Sequence, residues 1–227
     1  MATVALIGAD GAGKTTVANT LVAQNPDKIK YIYMGGNLES SNIKLPTAHL
    51  IVFIRRLLKK NSDKGVFNKL NEQLKSPDEW WTGDKRGSFF AIFRLINRIT
   101  EDFYRIFVSW IFQFRGFTVL YDRHVMFEKI RDKKFRDNKL RLTDKIHLWM
   151  INNIYPDPDY VIFLDAPPEV LFKRKKETTV EFIEYTRNIY LKAGEKLDNF
   201  FIVNVDKDLN LICSEIINLL FVKPVKA

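Results

Sequence analysis

The stretch GADGAGKTT, residues 8–16, decides the fold of this chain of 227 residues. It matches the pattern G-x-x-x-x-G-K-[ST], in which a glycine-rich loop places successive backbone N–H groups around a phosphate group. The run TVALI at 3–7 precedes it and is apolar and β-branched, as a buried parallel strand is. Apolar residues at helical spacing follow it in residues 15–24. Strand, loop and helix therefore occur in the order that a phosphate-binding loop requires.

The residues of this loop each have an expected role in binding ATP. Its glycines can adopt backbone torsions that are closed to residues with a Cβ atom, and the next helix adds the positive end of its dipole. Lys14 is expected to reach the β- and γ-phosphates, and the Thr15 hydroxyl is expected to ligate Mg²⁺. The predicted ATP-binding residues are Gly8, Gly11, Ala12, Gly13, Lys14, Thr15 and Thr16.

Strands and helices alternate along the rest of the chain. This alternation predicts an α/β fold, a parallel sheet flanked by helices on both faces in three layers, with a short helical lid. We expect a single domain over 1–227, an insertion at 61–87 and a lid at about 172–190. The predicted strands are 3–7, 29–34, 118–121, 160–164 and 200–205. The predicted helices are 14–24, about 47–60, a short one at 66–74, 88–115, 143–154, one beginning at 169, 178–197 and 208–220, with a charged loop at 129–139.

Composition narrows the class of protein. The single cysteine excludes an internal disulfide and a cysteine-built metal site, and we expect Cys213 to be a buried apolar residue. The formal net charge of +9 is spread along the chain, so small anionic substrates are a sufficient explanation and we expect no nucleic-acid partner. No stretch of eighteen apolar residues lacks charges, so we expect no membrane partner. Together these features favour a cytoplasmic enzyme.

A second candidate site element is the strand TVLY at 118–121, which ends in Asp122 and Arg123. In a parallel sheet its carboxyl end lies at the same edge as the loop after the first strand. Asp122 is then placed to hold Mg²⁺ or a water molecule bound to it, and Arg123 to grip a phosphoryl group through two hydrogen bonds. The alternative is an ordinary surface pair of charges at a strand end.

Three blocks in this order resemble the thymidylate kinase family of nucleoside-monophosphate kinases. They are GADGAGKTT at 8–16, GFTVLYDRH at 116–124 and YVIFLDAPPEVLFKRK at 160–175. The segment YTRNIY at 185–190 is similar to the basic lid segment of that family, whereas 35–115 aligns weakly. The blocks are similar to members described only as thymidylate-kinase-like, whose acceptor is undefined. The resemblance implies transfer of the γ-phosphoryl group of ATP, with Mg²⁺, to a nucleoside monophosphate, and favours dTMP and a homodimer.

The resemblance also implies roles for single residues. Asp10 stands where the family has a carboxylate that contacts the sugar hydroxyl of the acceptor, and Arg123 would hold the acceptor phosphate. Asp122 would organise Mg²⁺ together with Thr15. Gly11 stands where one branch of the family has a catalytic arginine in the loop, so the cation for the transition state is expected from the lid. The candidate lid cations are Arg174, Lys175, Lys176 and Arg187, of which we assign Arg174 and Arg187 to catalysis beside Lys14, Asp122 and Arg123.

The chain departs from the family where the acceptor phosphate binds. The segment YIYMGGN at 31–37 has no arginine at the place where the family usually carries one. On the long helix, Arg94 and Arg98 are the predicted acceptor-binding residues, with Arg105 as a further candidate. These departures leave open a second acceptor class, a sugar or sugar phosphate. A nucleotide-binding switch that transfers no phosphate is the remaining alternative.

Several other side chains have an expected place. His124 follows Arg123 and is expected in or beside the acceptor site, while His147 and Trp149 are expected to pack in a helix. Asp165 is expected to cap the helix that begins near Pro167, rather than to take part in chemistry. Trp80 and Trp81 stack on the acceptor or pack the insertion onto the core, and the second interpretation is favoured.

Overall fold

The computed structural model describes residues 1–34, 42–43, 88–124, 142–176 and 178–222. The strands are β1 (Thr3–Ile7), β2 (Ile29–Tyr33), β3 (Thr118–Asp122), β4 (Tyr160–Asp165) and β5 (Phe200–Asn204). The helices are α1 (Lys14–Gln24), α2 (Ser88–Phe114), α3 (Leu142–Asn153), α4 (Pro168–Arg174), α5 (Val180–Gly194) and α6 (Leu209–Ile217), which continues as a π-helical turn, Asn218–Val222.

The five strands form one parallel sheet in the order β2-β3-β1-β4-β5. From β1 the chain passes to the edge strand β2, returns to β3 beside β1, and then adds β4 and β5 on the other side, so the direction of the connections reverses beside β1. Leu6 of β1 pairs with Asp122 of β3, and Ile7 pairs with Phe163 of β4. The carboxyl ends of these three strands therefore meet at one edge. Ligands of open α/β sheets bind outside such an edge at the point of reversal.

Side chains alternate between two faces of the sheet, and helices cover both faces. One core contains Val4, Leu6 and Ile162 together with residues of α1 and α6. The opposite face packs Val119 against α2 and α3, and Phe163 against α5. All five residues of β1 are buried, which explains why that strand reads as a continuous apolar run. The predicted three-layer α/β fold is confirmed.

The predicted helices and strands that fall on described residues agree with the structure to within a few residues. The helix α5 begins at Val180 rather than 178, because the Thr179 hydroxyl caps it by accepting a hydrogen bond from the Phe182 N–H, and it ends at Gly194 rather than 197. The predicted lid spans the end of α4 and the first part of α5. The predictions at 47–60, 61–87, 66–74 and 129–139, with Trp80 and Trp81, lie outside the described residues.

A buried polar cluster joins α2 to α3. Asp102 Oδ2 accepts hydrogen bonds from the Tyr155 hydroxyl at 2.8 Å and lies 3.0 Å from His147 Nε2. Arg105 is 2% exposed and lies 3.3 Å from Glu101, so this arginine is committed to the helix core and is not available to an acceptor. His147 is buried as predicted, but by polar pairing rather than by apolar packing alone.

Two further expectations concern side-chain burial. Cys213 is buried, as predicted, and burial raises the pKa of its thiol. Trp149 was expected to pack and this is wrong, because its side chain is 59% exposed on α3. No helix among the described residues is long and apolar enough to cross a membrane.

We predict that Asp102→Ala lowers the free energy of unfolding by about 3 kcal/mol, because it leaves buried cationic and polar groups without their shared acceptor. Urea denaturation followed by circular dichroism measures this change. Asp157→Ala is the matched control, because Asp157 is exposed in the loop before β4. Equal stabilities of the two variants would contradict a structural role for the cluster.

Candidate functional site

The phosphate loop curls around the side chain of Lys14. Lys14 Nζ donates hydrogen bonds to the carbonyl oxygens of Gly8 at 2.9 Å and Ala9 at 3.0 Å. Gly11 and Gly13 have φ values of +86° and +78°, in the left-handed region that favours glycine. A Cβ on Gly11 would lie 2.3 Å from the Leu171 carbonyl oxygen, so α4 packs directly on the loop. The sequence thus produces the curled loop through glycine torsions and this close packing.

Asp122 connects the end of β3 to the start of α1. Its Oδ2 accepts hydrogen bonds from the Thr15 hydroxyl at 2.7 Å and from the Tyr31 hydroxyl at 3.1 Å. The pKa of Tyr31 is raised, chiefly by burial and also by the Asp122 carboxylate, so this hydroxyl keeps its proton near neutral pH. Asp122 is 0% exposed, and its Oδ1 is buried without a hydrogen-bond partner among the described residues.

Thr15 and Asp122 fit a magnesium ion. Both offer hard oxygen donors, which Mg²⁺ prefers, and a buried carboxylate oxygen without a partner is unfavourable until a cation or a donor reaches it. In the described part of the chain, no group of three or more His, Cys, Asp or Glu side chains is placed to hold a metal by itself. Such an arrangement suits Mg²⁺, which proteins often hold through one or two side chains plus the phosphates of a substrate.

Arg123 follows Asp122 in an unfavourable backbone conformation. Its φ is +59°, an unusual value for a residue with a long side chain, and such values cluster at functional sites. Its guanidinium lies 3.6 Å from Asp10 Oδ1. Arg123, Asp10 and Lys14 line a small cavity with His124, Thr186 and Tyr190. The structure therefore brings two predicted acceptor residues together, and places His124 beside them.

A larger cleft of about 470 Å³ opens on the other side of the loop. Its volume is in the range typical of small-molecule sites. One wall is the phosphate loop with the first turn of α1, and the opposite wall contains Arg174, Val205, Lys207 and Ile212. Arg174 donates a hydrogen bond to the Val205 carbonyl oxygen at 2.9 Å, which holds its guanidinium at this wall. Arg174 thus lines the cleft opposite the phosphate loop, the place where a cation from the lid is expected.

Arg187 has a different environment from Arg174. Its Nε and one terminal nitrogen donate hydrogen bonds to the two oxygens of Asp165, at 2.7 and 2.8 Å. This pairing raises the pKa of the arginine. Arg187 lines neither of the two cavities described above. In this structure the guanidinium of Arg187 joins α5 to the end of β4.

The predicted capping role of Asp165 is wrong. Pro167 occupies the N-cap of α4, and no side chain makes a capping hydrogen bond there. Asp165 is turned to Arg187 instead, where both of its oxygens accept hydrogen bonds from the guanidinium.

The structure does not bring Arg98, a predicted acceptor residue of α2, together with the loop. Arg98 is exposed and lines neither cavity, and Arg94 lies in the first part of α2. Sequence reasoning also missed Tyr31, Thr186 and Tyr190. Tyr31 belongs to a strand of apolar character, and nothing in its neighbours signals that its hydroxyl reaches Asp122.

Comparisons with known proteins agree with the sequence blocks. The chain is 30% identical over 110 residues to the thymidylate kinase of Thermosipho africanus, a match that covers 45% of this chain and 54% of that protein. It is 23% identical over 189 residues to the thymidylate kinase of Thermosipho melanesiensis, covering 80% of this chain and 90% of that protein. The chain thus spans about half the length of the first relative and most of the second. No family model matches the chain.

A solved structure shares the fold. It is a deoxyadenosine kinase from M. mycoides with the products dCMP and dCDP bound, and the TM-score is 0.52 at 16% identity. The superposition covers 98% of this chain and 100% of that chain. The resemblance inferred from the sequence is therefore confirmed: this chain is similar to the thymidylate kinases, and it shares its three-layer α/β fold with a solved kinase.

Proposed function

We propose that the protein is an ATP- and Mg²⁺-dependent kinase that transfers the γ-phosphoryl group to a nucleoside monophosphate, with dTMP as the favoured acceptor. One observation carries the proposal. The large cleft and the small cavity share three lining residues, Asp10, Lys14 and Arg123. A donor in the cleft and the phosphate of an acceptor at the mouth of the small cavity would meet between these side chains, as in-line transfer of a phosphoryl group requires.

The donor half is assigned to the larger cleft. The N–H groups of the phosphate loop and Lys14 would bind the β- and γ-phosphates of ATP, and the rest of the nucleotide would extend toward Arg174 and Ile212. Thr15 and Asp122 would hold Mg²⁺, which neutralises charge on the transferred group when it is bound. Phosphoryl transfer needs aligned reactants and positive charge more than covalent help from the protein.

Only the reacting end of the acceptor is assigned to the mouth of the smaller cavity, because its volume of about 20 Å³ has room for little more than one water molecule. Asp10 would accept a hydrogen bond from a sugar hydroxyl of the acceptor, while the Arg123 guanidinium would hold its phosphate. The strained φ of Arg123 supports this role, because it aims the side chain at the shared opening rather than along β3.

The lid cation is assigned first to Arg174, which lines the cleft. Arg187 would add its charge only after its guanidinium leaves Asp165, so its catalytic role requires movement of α5 or of its own side chain. Closure of the lid would also exclude water, which otherwise competes with the acceptor for the phosphoryl group.

A sugar or sugar phosphate is the second candidate acceptor. One observation favours it: Arg98 lines neither cavity, and Arg105 is buried in an ion pair with Glu101. Among the described residues of 88–124, the acceptor cavity thus takes its arginine from Arg123 alone. An acceptor without a phosphate group would need fewer cations than a nucleotide.

The partner that we propose for the exposed face of α2 is a second copy of this chain. Apolar side chains recur along α2 at spacings of four, three and four residues, and α3 continues the face with Ile146 and Trp149. The run consists of the exposed residues Phe103, Phe107, Trp110 and Phe114, the last 96% accessible, and Ile92 and Ile96 are also exposed nearer the start of α2. Large contiguous apolar patches mark interaction sites, and this spacing suits packing of one helix against another.

Release of ADP tests the proposed function. We expect the wild-type protein to release ADP from ATP and Mg²⁺ in a manner that depends strongly on added dTMP. Lys14→Ala should lower kcat by about 100-fold, because it removes the ammonium group whose positive charge would stabilise the transferred phosphoryl group. Lys28→Ala is the matched control, because Lys28 is exposed on the loop before β2.

Two results would revise this assignment. Turnover that ignores every nucleoside monophosphate but responds to a sugar would select the second acceptor class. An unchanged rate for Lys14→Ala would contradict the role of the phosphate loop.

The acceptor site is tested by Arg123→Asn, chosen because asparagine tolerates positive φ better than most residues. We expect KM for the acceptor to rise by about tenfold or more, from loss of a charge-assisted pair, while KM for ATP changes little. Arg98→Asn is the control on the same reaction. If Arg98→Asn raises the acceptor KM and Arg123→Asn does not, the acceptor binds along α2 instead.

The oligomeric state is tested by Trp110→Glu, which places a charge in the middle of the exposed face of α2. We expect the wild-type protein to have the mass of a dimer by light scattering, and the variant to have the mass of a monomer with an unchanged circular dichroism spectrum. Arg115→Glu, a charge change beyond the end of α2, should leave the dimer intact. A monomeric wild-type protein would contradict the dimer.

A further inference from the structure

The Tyr31 hydroxyl reaches the candidate metal site from β2, the strand at one edge of the sheet. Tyr31 pairs in register with Leu120 on β3, and Tyr33 pairs with Asp122, so Tyr31 and Asp122 are diagonal neighbours on one face. Long side chains at diagonal positions can touch across neighbouring strands. The Tyr31 hydroxyl lies 3.1 Å from Asp122 Oδ2, and its ring packs against the core on this face of the sheet.

The two hydroxyl groups that donate hydrogen bonds to the Asp122 carboxylate both contact the same oxygen. Thr15 and Tyr31 donate to Oδ2, whereas Oδ1 is buried without a hydrogen-bond partner in the described part of the chain. The terminal torsion of an aspartate is soft, so hydrogen bonds decide how its carboxylate is turned. Two donors on Oδ2 keep Oδ1 turned away from them.

We propose that Tyr31 is a positioning residue for the divalent cation, because its hydroxyl holds the Asp122 carboxylate in the orientation that leaves Oδ1 for the cation or its bound water. This inference rests on the proposed function, since it requires a nucleotide and a metal at the phosphate loop. Groups that orient a metal ligand from behind commonly change metal affinity when they are removed.

The hydroxyl and the ring of Tyr31 have separable roles. The ring contributes to packing of the core, and phenylalanine would retain it. Only the hydroxyl touches Asp122, so Tyr31→Phe removes the orienting bond and little else. Tyr160→Phe is the matched control, because Tyr160 belongs to the same core but begins β4, at the opposite end of the sheet from Asp122.

The test is binding of Mn²⁺, as a probe for Mg²⁺, to the full chain with a non-hydrolysable ATP analogue, measured by electron paramagnetic resonance. We expect Tyr31→Phe to weaken Mn²⁺ binding by about tenfold, the lower end of the range for removal of a group that orients a metal ligand. Tyr160→Phe should bind Mn²⁺ as the wild-type protein does. Affinity for the analogue in EDTA should be the same in all three proteins.

Kinetics provide a second measurement that a merely structural role would not change. We expect Tyr31→Phe to raise the Mg²⁺ concentration needed for half-maximal rate, while kcat at saturating Mg²⁺ stays close to the wild-type value. Unchanged Mn²⁺ binding in Tyr31→Phe, or an equal loss in Tyr160→Phe, would overturn the inference while leaving the proposed function intact. A wild-type protein that binds neither the analogue nor Mn²⁺ would overturn both.

Discussion

The hydrogen bond from Thr15 to Asp122 is the contact on which the rest of the site depends. It is 2.7 Å long and joins the first turn of α1 to the last residue of β3. These two residues are far apart in the chain, and the parallel pairing of β1 with β3 brings them to one edge. Because Arg123 follows Asp122 directly, the same bond also fixes where the phosphate loop and the arginine meet.

Backbone constraints explain why the cavities join at this edge. Gly11 admits α4 to within contact of the loop, where any side chain would collide with the Leu171 carbonyl. Positive φ at Arg123 turns the chain sharply after β3. The curled loop and this turn enclose Asp10 and Lys14 between the two cavities. The junction of the two cavities is thus a consequence of local geometry at the carboxyl ends of two adjacent strands.

The fold and the phosphate loop could be predicted because their signals are local. The glycine pattern at 8–16 specifies its own torsions, and alternating apolar runs specify buried strands and the helices between them. Trp149 was misjudged because helical spacing shows which residues share a face, but not whether another element covers that face. The helix 47–60 and the insertion 61–87 lie outside the described residues and stay predictions.

The pairing of Arg187 with Asp165 and the reach of Tyr31 to Asp122 could not be predicted. A lid arginine and a strand-end aspartate each have several possible partners, and only the packing of α5 against β4 selects one. Likewise, β2 lies beside β3 in the sheet although α2 separates them in the chain. Only this pairing of strands places the Tyr31 hydroxyl within hydrogen-bond distance of the Asp122 carboxylate. The sequence by itself determined the phosphate loop, the strand-end Asp122-Arg123 pair and the layered fold, because each is encoded within a few consecutive residues. Only the tertiary structure decided which charges are paired, which are buried and which face the two cavities, because these depend on distant segments that meet at the sheet edge.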